Sequence, residues 1–184
     1  MRLFVGLDLP VEVRERLAGL AGGIPGARWV APHTYHLTLR FIGDVAAPQA
    51  EEIDTALSAL RGKGFDLTLA GLGTFSNGPR GTRLWVGVAP NPALGVLRAK
   101  VEHAVQRAGL APLRRRFTPY VTLANLDCTA PSRLVEFVQA HNLFRAGAIA
   151  IRRFCLFSSR LGKDAVDYTV EVEYPLAPWQ PSAS

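Results

Sequence analysis

Arg2-Leu3-Phe4-Val5-Gly6-Leu7 opens the chain and returns as Arg83-Leu84-Trp85-Val86-Gly87-Val88, and the fold turns on this repetition. Both copies are short apolar runs bounded by turn-forming residues, which read as buried strands. A proline-bearing turn follows each, Leu9-Pro10 in one and Pro90-Asn91-Pro92 in the other. Helical periodicity then covers Val11 to Leu20 and Leu94 to Ala108, stopped by Gly22-Gly23 and by Gly109. The copies stay in step, for His36-Leu37-Thr38-Leu39 is answered by Tyr120-Val121-Thr122-Leu123. A second helix is expected over Pro48 to Leu60 and over Pro131 to His141. A strand pair comes next, Phe65 to Ala70 with Arg83 to Val88 and Ala148 to Phe157 with Tyr168 to Val172. Asn77-Gly78-Pro79 and Leu161-Gly162-Lys163-Asp164 supply the turns.

Two long copies do not make a solenoid, which stacks three or more short units. The pattern predicts one α+β domain over residues 1–184, built as two pseudo-symmetric lobes that face each other across a central groove. Each lobe is an antiparallel sheet with helices on its outer face, and the second copy of the strand-helix unit starts near Arg83. Residues 178–184 read as a polar tail.

At 184 residues and 48% hydrophobic content the chain can bury a full core without metal or disulfide. Cys128 and Cys155 lie in no metal-binding or redox spacing, so both are expected as reduced thiols. The first apolar run is too short for a signal peptide, and no stretch approaches the ~20 apolar residues of a membrane span. A cytoplasmic, membrane-free monomer is the expectation. The net charge is +6, carried by 18 arginines against 3 lysines. That bias suits forked recognition of phosphate oxygens, and a coding bias would produce it equally well. The glycine pairs Gly62-x-Gly64 and Gly71-x-Gly73 lack the strand-to-helix setting of a phosphate-cradling loop and read as turns, so no nucleotide cofactor is implied.

Strand alternation would turn His36, Thr38 and Arg40 to one face and Leu37, Leu39 and Phe41 to the other. An imidazole, a hydroxyl and a guanidinium together make a credible phosphate site. The equivalent face of the second copy would carry Tyr120, Thr122 and Ala124. Arg114, Arg115 and Arg116, just ahead of that strand, could meet an RNA backbone or simply be a solvated loop. Phe117 and Phe75, beside loops, could stack a base. Trp29 and Trp85 could do the same, although Trp85, inside a repeat strand, reads as core, and packing is an equally open role for all four. His33, His103 and His141 read as surface histidines.

The opening strand, Arg28-Trp29-Val30, the run His36-Leu37-Thr38-Leu39-Arg40-Phe41-Ile42-Gly43, Leu84-Trp85-Val86-Gly87-Val88 and the closing Phe154 to Gly162 region together resemble the two-histidine phosphoesterase superfamily. The similarity is to the bacterial RNA 2′,3′-cyclic phosphodiesterases, also called 2′-5′ RNA ligases, and it covers nearly the whole chain. It implies a metal-free opening of a terminal 2′,3′-cyclic phosphate to a 2′-phosphate, with weak 2′-5′ ligation in reverse. It implies RNA ends, tRNA halves among them, as partners, and no cofactor. By resemblance His36 is the acid toward the 3′-oxygen, Thr38 and Thr122 hold phosphate oxygens, and Arg40 assists. The family's second histidine is Tyr120 here, and Asn125 stands where a basic residue often follows. A phenol, with a reference value near 10 against about 6.5 for imidazole, is a poor base at neutral pH. Weakened turnover is therefore expected, with two alternatives: a catalytically inactive module that binds RNA ends, or a phosphodiesterase of small cyclic phosphates.

Overall fold

The computed structural model describes residues 1–76, 78–127 and 129–179. Nine strands and four α-helices are found among these residues. The strands are β1 (Arg2–Asp8), β2 (Ala27–Trp29), β3 (His36–Asp44), β4 (Phe65–Ser76), β5 (Thr82–Val88), β6 (Tyr120–Leu126), β7 (Arg145–Ile151), β8 (Arg153–Leu161) and β9 (Val166–Pro175). The helices are α1 (Val11–Ala18), α2 (Ala47–Ser58), α3 (Pro92–Arg107) and α4 (Pro131–His141). Proline in the first turn starts α2, α3 and α4, where its missing N–H costs nothing. The Asn91 side chain also caps α3, accepting from the Leu94 backbone N–H at 3.1 Å. Leu94, Leu97, Val101, Ala104 and Val105 recur at helical spacing and are buried.

The strands form two antiparallel sheets, ordered β3-β1-β8-β9 and β2-β6-β5-β4-β7. The α+β class and the two facing sheets are as the sequence predicts. The division of the chain between them is not. Ala148 to Phe157 is not one strand; it breaks at Arg152 into β7, which joins the second sheet, and β8, which joins the first. Ile149 and Ile151 are buried on one side of the break and Phe154 to Phe157 on the other, so the apolar run does not reveal the change of partner. The first sheet therefore completes itself with β8 and β9 from the end of the chain, and β4 passes to the second. Gly71 lies inside β4, at φ +73° beside a shift in register, and not in a turn. Gly62 and Gly64 flank an isolated bridge between Lys63 and Ala177.

The loop between β8 and β9 closes on a bond from Gly162 N–H to the Ala165 carbonyl at 2.9 Å. Asn77 of the other expected turn, Cys128, and residues 180–184 of the expected tail lie outside the described residues. Cys155 is a buried free thiol. Among the described residues, no helix is long and apolar enough to cross a membrane.

One irregularity recurs in both sheets. Against β1, Thr38 pairs with Gly6 and Arg40 with Val5, so Leu39 is an extra residue in β3. Against β5, Thr122 pairs with Trp85 and Ala124 with Leu84, so Leu123 is an extra residue in β6. A bulge of one residue reverses the alternation beyond it.

Candidate active site

These bulges decide which side chains reach the groove. Up to the bulge alternation holds, and His36 and Thr38 line a pocket of about 180 Å³ together with Tyr120 and Thr122. Beyond it the faces exchange. Phe41, expected in the core, is 56% exposed and lines the pocket, whereas Arg40 is buried at 5%. In the second sheet Asn125, not Ala124, joins the lining. Arg40 thus does not share a face with His36. Its Nε donates to Glu102 Oε2 of α3 at 2.6 Å, its Nη2 donates to the Ala111 carbonyl at 2.6 Å, and its Nη1 donates to the Phe41 carbonyl. A buried guanidinium must be paired, and Glu102 is that partner.

A single 3₁₀ turn over Pro32–Thr34 delivers His36. The Thr34 hydroxyl donates back to the Ala31 carbonyl at 2.7 Å, and the Thr34 carbonyl lies 2.8 Å from His36 Nδ1. A carbonyl can only accept, so Nδ1 carries the proton and Nε2 holds the lone pair of the neutral ring. The Thr38 hydroxyl donates to Nε2 at 3.1 Å. The ring sits on Phe4 at 4.7 Å between centroids and edge-on to Tyr168 at 4.8 Å. Burial holds the imidazole below its ordinary value, with the charge of Arg14 adding to the effect and the bond to the Thr34 carbonyl opposing it.

Across the groove the arrangement is repeated with different side chains. Tyr120 meets Phe75 edge-on at 5.1 Å and Trp85 at 6.1 Å. Trp85, expected in the core, lies on the groove face beneath Tyr120, as Phe4 lies beneath His36. Gly73 makes room for it, since a Cβ there would stand 2.3 Å from the indole ring. Arg83 Nη1 donates to the Tyr120 hydroxyl oxygen at 3.1 Å. Among the described residues, no carboxylate lies within ion-pair distance of Arg83 and none lines the pocket. Also among them, no cluster of three His, Cys, Asp or Glu side chains could hold a metal ion.

Thr34, Tyr168 and Arg83 also line the pocket, and the sequence conceals Arg83 most completely because it reads there as part of a strand repeat. Its only signal was position: it pairs in register with Asn125 on the strand next to Tyr120. A second cleft of about 410 Å³ shares Thr38, Phe41, Arg83 and Tyr120 with the pocket; Phe75, Arg115, Arg116 and Phe117 line it too, and so does Arg40, which stays outside the first pocket. Arg114 is exposed but does not line it. One face of Phe117 is covered by the Arg98 guanidinium, 5.4 Å from the ring centroid. Trp29 packs on Phe137 of α4. His33 and His103 are exposed, and His141 packs against Phe137 at 4.4 Å.

A family model described as LigT like Phosphoesterase matches the chain twice in tandem, over residues 7–85 and 86–168. A protein of Aquifex aeolicus named RNA 2′,3′-cyclic phosphodiesterase is 29% identical over 183 residues, covering 96% of this chain and 97% of that protein. Proteins of the same name from Geobacillus stearothermophilus and Aeropyrum pernix are 34% and 38% identical over 127 and 105 residues, and the chain spans only 40% and 59% of their lengths. The crystal structure of Escherichia coli LigT complexed with 3′-AMP superposes with a TM-score of 0.76 at 28% identity, covering 95% of this chain and 97% of that one. With both of its halves matched by the family model and its fold shared with these structures, the chain belongs to the LigT-like phosphoesterase family.

Proposed function

We propose that the protein hydrolyses the terminal 2′,3′-cyclic phosphate of RNA to a 2′-phosphate without a metal ion. The observation that carries this reading is the lining of the pocket: the Thr38 and Thr122 hydroxyls, one from each sheet, and the Arg83 guanidinium stand beside the His36 imidazole, with no carboxylate among the described lining residues. Hydroxyls and an unneutralised guanidinium suit a phosphate monoanion. Hard divalent cations favour carboxylate oxygens, which this lining does not offer. The relatives' shared name and the 3′-AMP held by Escherichia coli LigT support a ribonucleotide end as the substrate. In this reading Thr38 and Thr122 hold the phosphate oxygens, and His36 and the Tyr120 position share the proton transfers. The cleft lined by Arg115 and Arg116 takes the strand upstream of the end, tRNA halves included. The chain works as one bilobal unit, a monomer in the cytoplasm, and ligates 2′-5′ ends weakly in reverse.

Tyr120 makes turnover weaker than a histidine pair would, since loss of one matched acid or base costs ~10² to 10⁴ in rate. That same residue favours the second reading, a module that binds the RNA end without turning it over. The test is a short RNA ending in a 2′,3′-cyclic phosphate, incubated in EDTA with the protein, with Tyr120→His and with His36→Ala. Slow conversion to 2′-phosphate, raised ~10²-fold by Tyr120→His and abolished by His36→Ala, is expected. End-specific binding with no product from any form would favour the module. Conversion of a nucleoside 2′,3′-cyclic phosphate in preference to the RNA would move the substrate to small cyclic phosphates.

A further inference from the structure

The geometry points to Tyr120 as the proton donor and His36 as the proton acceptor, the reverse of the role that the family resemblance gives His36. The inference rests on the phosphodiesterase reading above and assigns direction to its proton transfers. Three contacts carry it. His36 Nδ1 is committed to the Thr34 carbonyl at 2.8 Å, so the neutral ring turns its Nε2 lone pair toward the pocket. The Thr38 hydroxyl, 3.1 Å from Nε2, fills that lone pair until a phosphate oxygen draws the hydroxyl away. On the other side, Arg83 Nη1 donates to the phenol oxygen at 3.1 Å, which leaves the phenol's own hydrogen free to be given to a group in the pocket that both residues line.

The charged and titratable groups around His36 fit a base better than an acid. Asp8 of β1 stands opposite His36 in register, but Arg153 of β8 holds its carboxylate at 2.8 Å. Arg14 of α1 disfavours a second positive charge on the ring, and Tyr168 of β9 closes the remaining side as an aromatic edge. Arg83 and Tyr120 face it across the pocket. Burial acts in the same direction as Arg14.

The step is then as follows. A water molecule gives a proton to His36 Nε2 while its oxygen bonds to phosphorus. The bond from phosphorus to the ribose 3′-oxygen breaks, that oxygen takes the Tyr120 proton, and the phosphate stays on the 2′-oxygen. Arg83 holds the phenolate that remains until the proton on His36 returns to it through solvent. One water is consumed, a cyclic diester becomes a monoester, and both side chains end as they began.

The sign of the pH dependence distinguishes the two directions. A base must be unprotonated, so kcat/KM rises with pH through the titration of His36 and levels off above it; an acid gives the opposite slope. The experiment measures kcat and KM against pH, in EDTA, on an RNA 2′,3′-cyclic phosphate for the wild type, Tyr120→Phe and Tyr120→His. We expect the wild-type rate to rise with pH through the titration of His36, which burial holds below the ordinary imidazole value, and to be level above it. Tyr120→Phe, which keeps the ring against Phe75, should lower kcat ~10² to 10⁴-fold with KM changed less than about threefold. Tyr120→His should gain a falling limb at higher pH, because a second imidazole donates only when protonated. A wild-type rate that falls over this range, or a Tyr120→Phe kcat within about threefold of wild type, would overturn the inference. Turnover confined to Tyr120→His would also overturn it and leave the phosphodiesterase reading standing. No turnover by any of the three would sink that reading and the inference with it.

Discussion

Replacing Glu102 by leucine should be among the most damaging single changes in this protein, although Glu102 lies outside the pocket. The Arg40 guanidinium and the Glu102 carboxylate are 5% and 8% exposed. The carboxylate accepts from Arg40 Nε at 2.6 Å, from Gln106 Nε2 at 2.9 Å and from the Leu113 backbone N–H at 3.1 Å. Glu102→Leu leaves the guanidinium buried on two backbone carbonyls with no counter-charge. Removing one member of such a pair costs about 3–5 kcal/mol, a large share of the roughly 5–15 kcal/mol that holds a domain folded. At this chain length each kcal/mol moves Tm by about 2–4 °C, so a fall of about 6–20 °C is expected. Arg40→Met combined with Glu102→Leu removes both charges and should restore at least half of the loss, roughly 1.5–2.5 kcal/mol. Urea unfolding followed by tryptophan fluorescence gives both numbers. A Glu102→Leu loss under about 1 kcal/mol, or a double variant no better than the single one, would refute the reasoning. The double variant carries a second readout: with Arg40 outside the pocket it should bind inorganic phosphate as the wild type does, and lost affinity would return Arg40 to the site.

The same pair shapes the acid limb of stability. Burial pushes the Glu102 carboxyl up, but the bonds from Gln106, Arg40 and Leu113 and the Arg40 charge outweigh it, and the group is held below the ordinary 4.5. Its stabilising contribution is therefore present above that value and is lost as pH falls through the folded one; Glu102→Leu should flatten this part of the curve. Burial, with Asp8 adding to it, pushes the Cys155 thiol up to about 12, so at pH 8 it should label with a thiol reagent only after unfolding, as read by peptide mapping. Labelling of the folded protein at that site would contradict its burial. A Cβ at Gly6 would stand 2.7 Å from the Leu37 carbonyl oxygen, forcing β1 and β3 apart beside His36. Gly6→Ala should cost ~1–3 kcal/mol in urea unfolding and weaken phosphate binding together; loss of neither would mean the strands yield. Replacing Arg114, Arg115 and Arg116 by alanine should reduce the slope of log affinity for RNA against log salt by about 2, and an unchanged slope would remove them from the footprint.

The repeated strand-helix units, the α+β class and the four residues that meet in the pocket, His36, Thr38, Tyr120 and Thr122, are all legible in the sequence, because each depends on periodicity within one short segment. A side chain two residues along a regular strand shares its face wherever the strand goes. Three things depended on partners distant in sequence. Leu39 and Leu123 become bulges only against β1 and β5, and that reversal exchanges Arg40 for Phe41 and Ala124 for Asn125 at the groove. Arg83 becomes part of the site only because β5 lies beside β6. The apolar run through Arg152 divides between two sheets because its two ends find different neighbours. Local pattern determines which residues alternate, but registry between strands is a property of the pair, and only the tertiary structure chooses the pair.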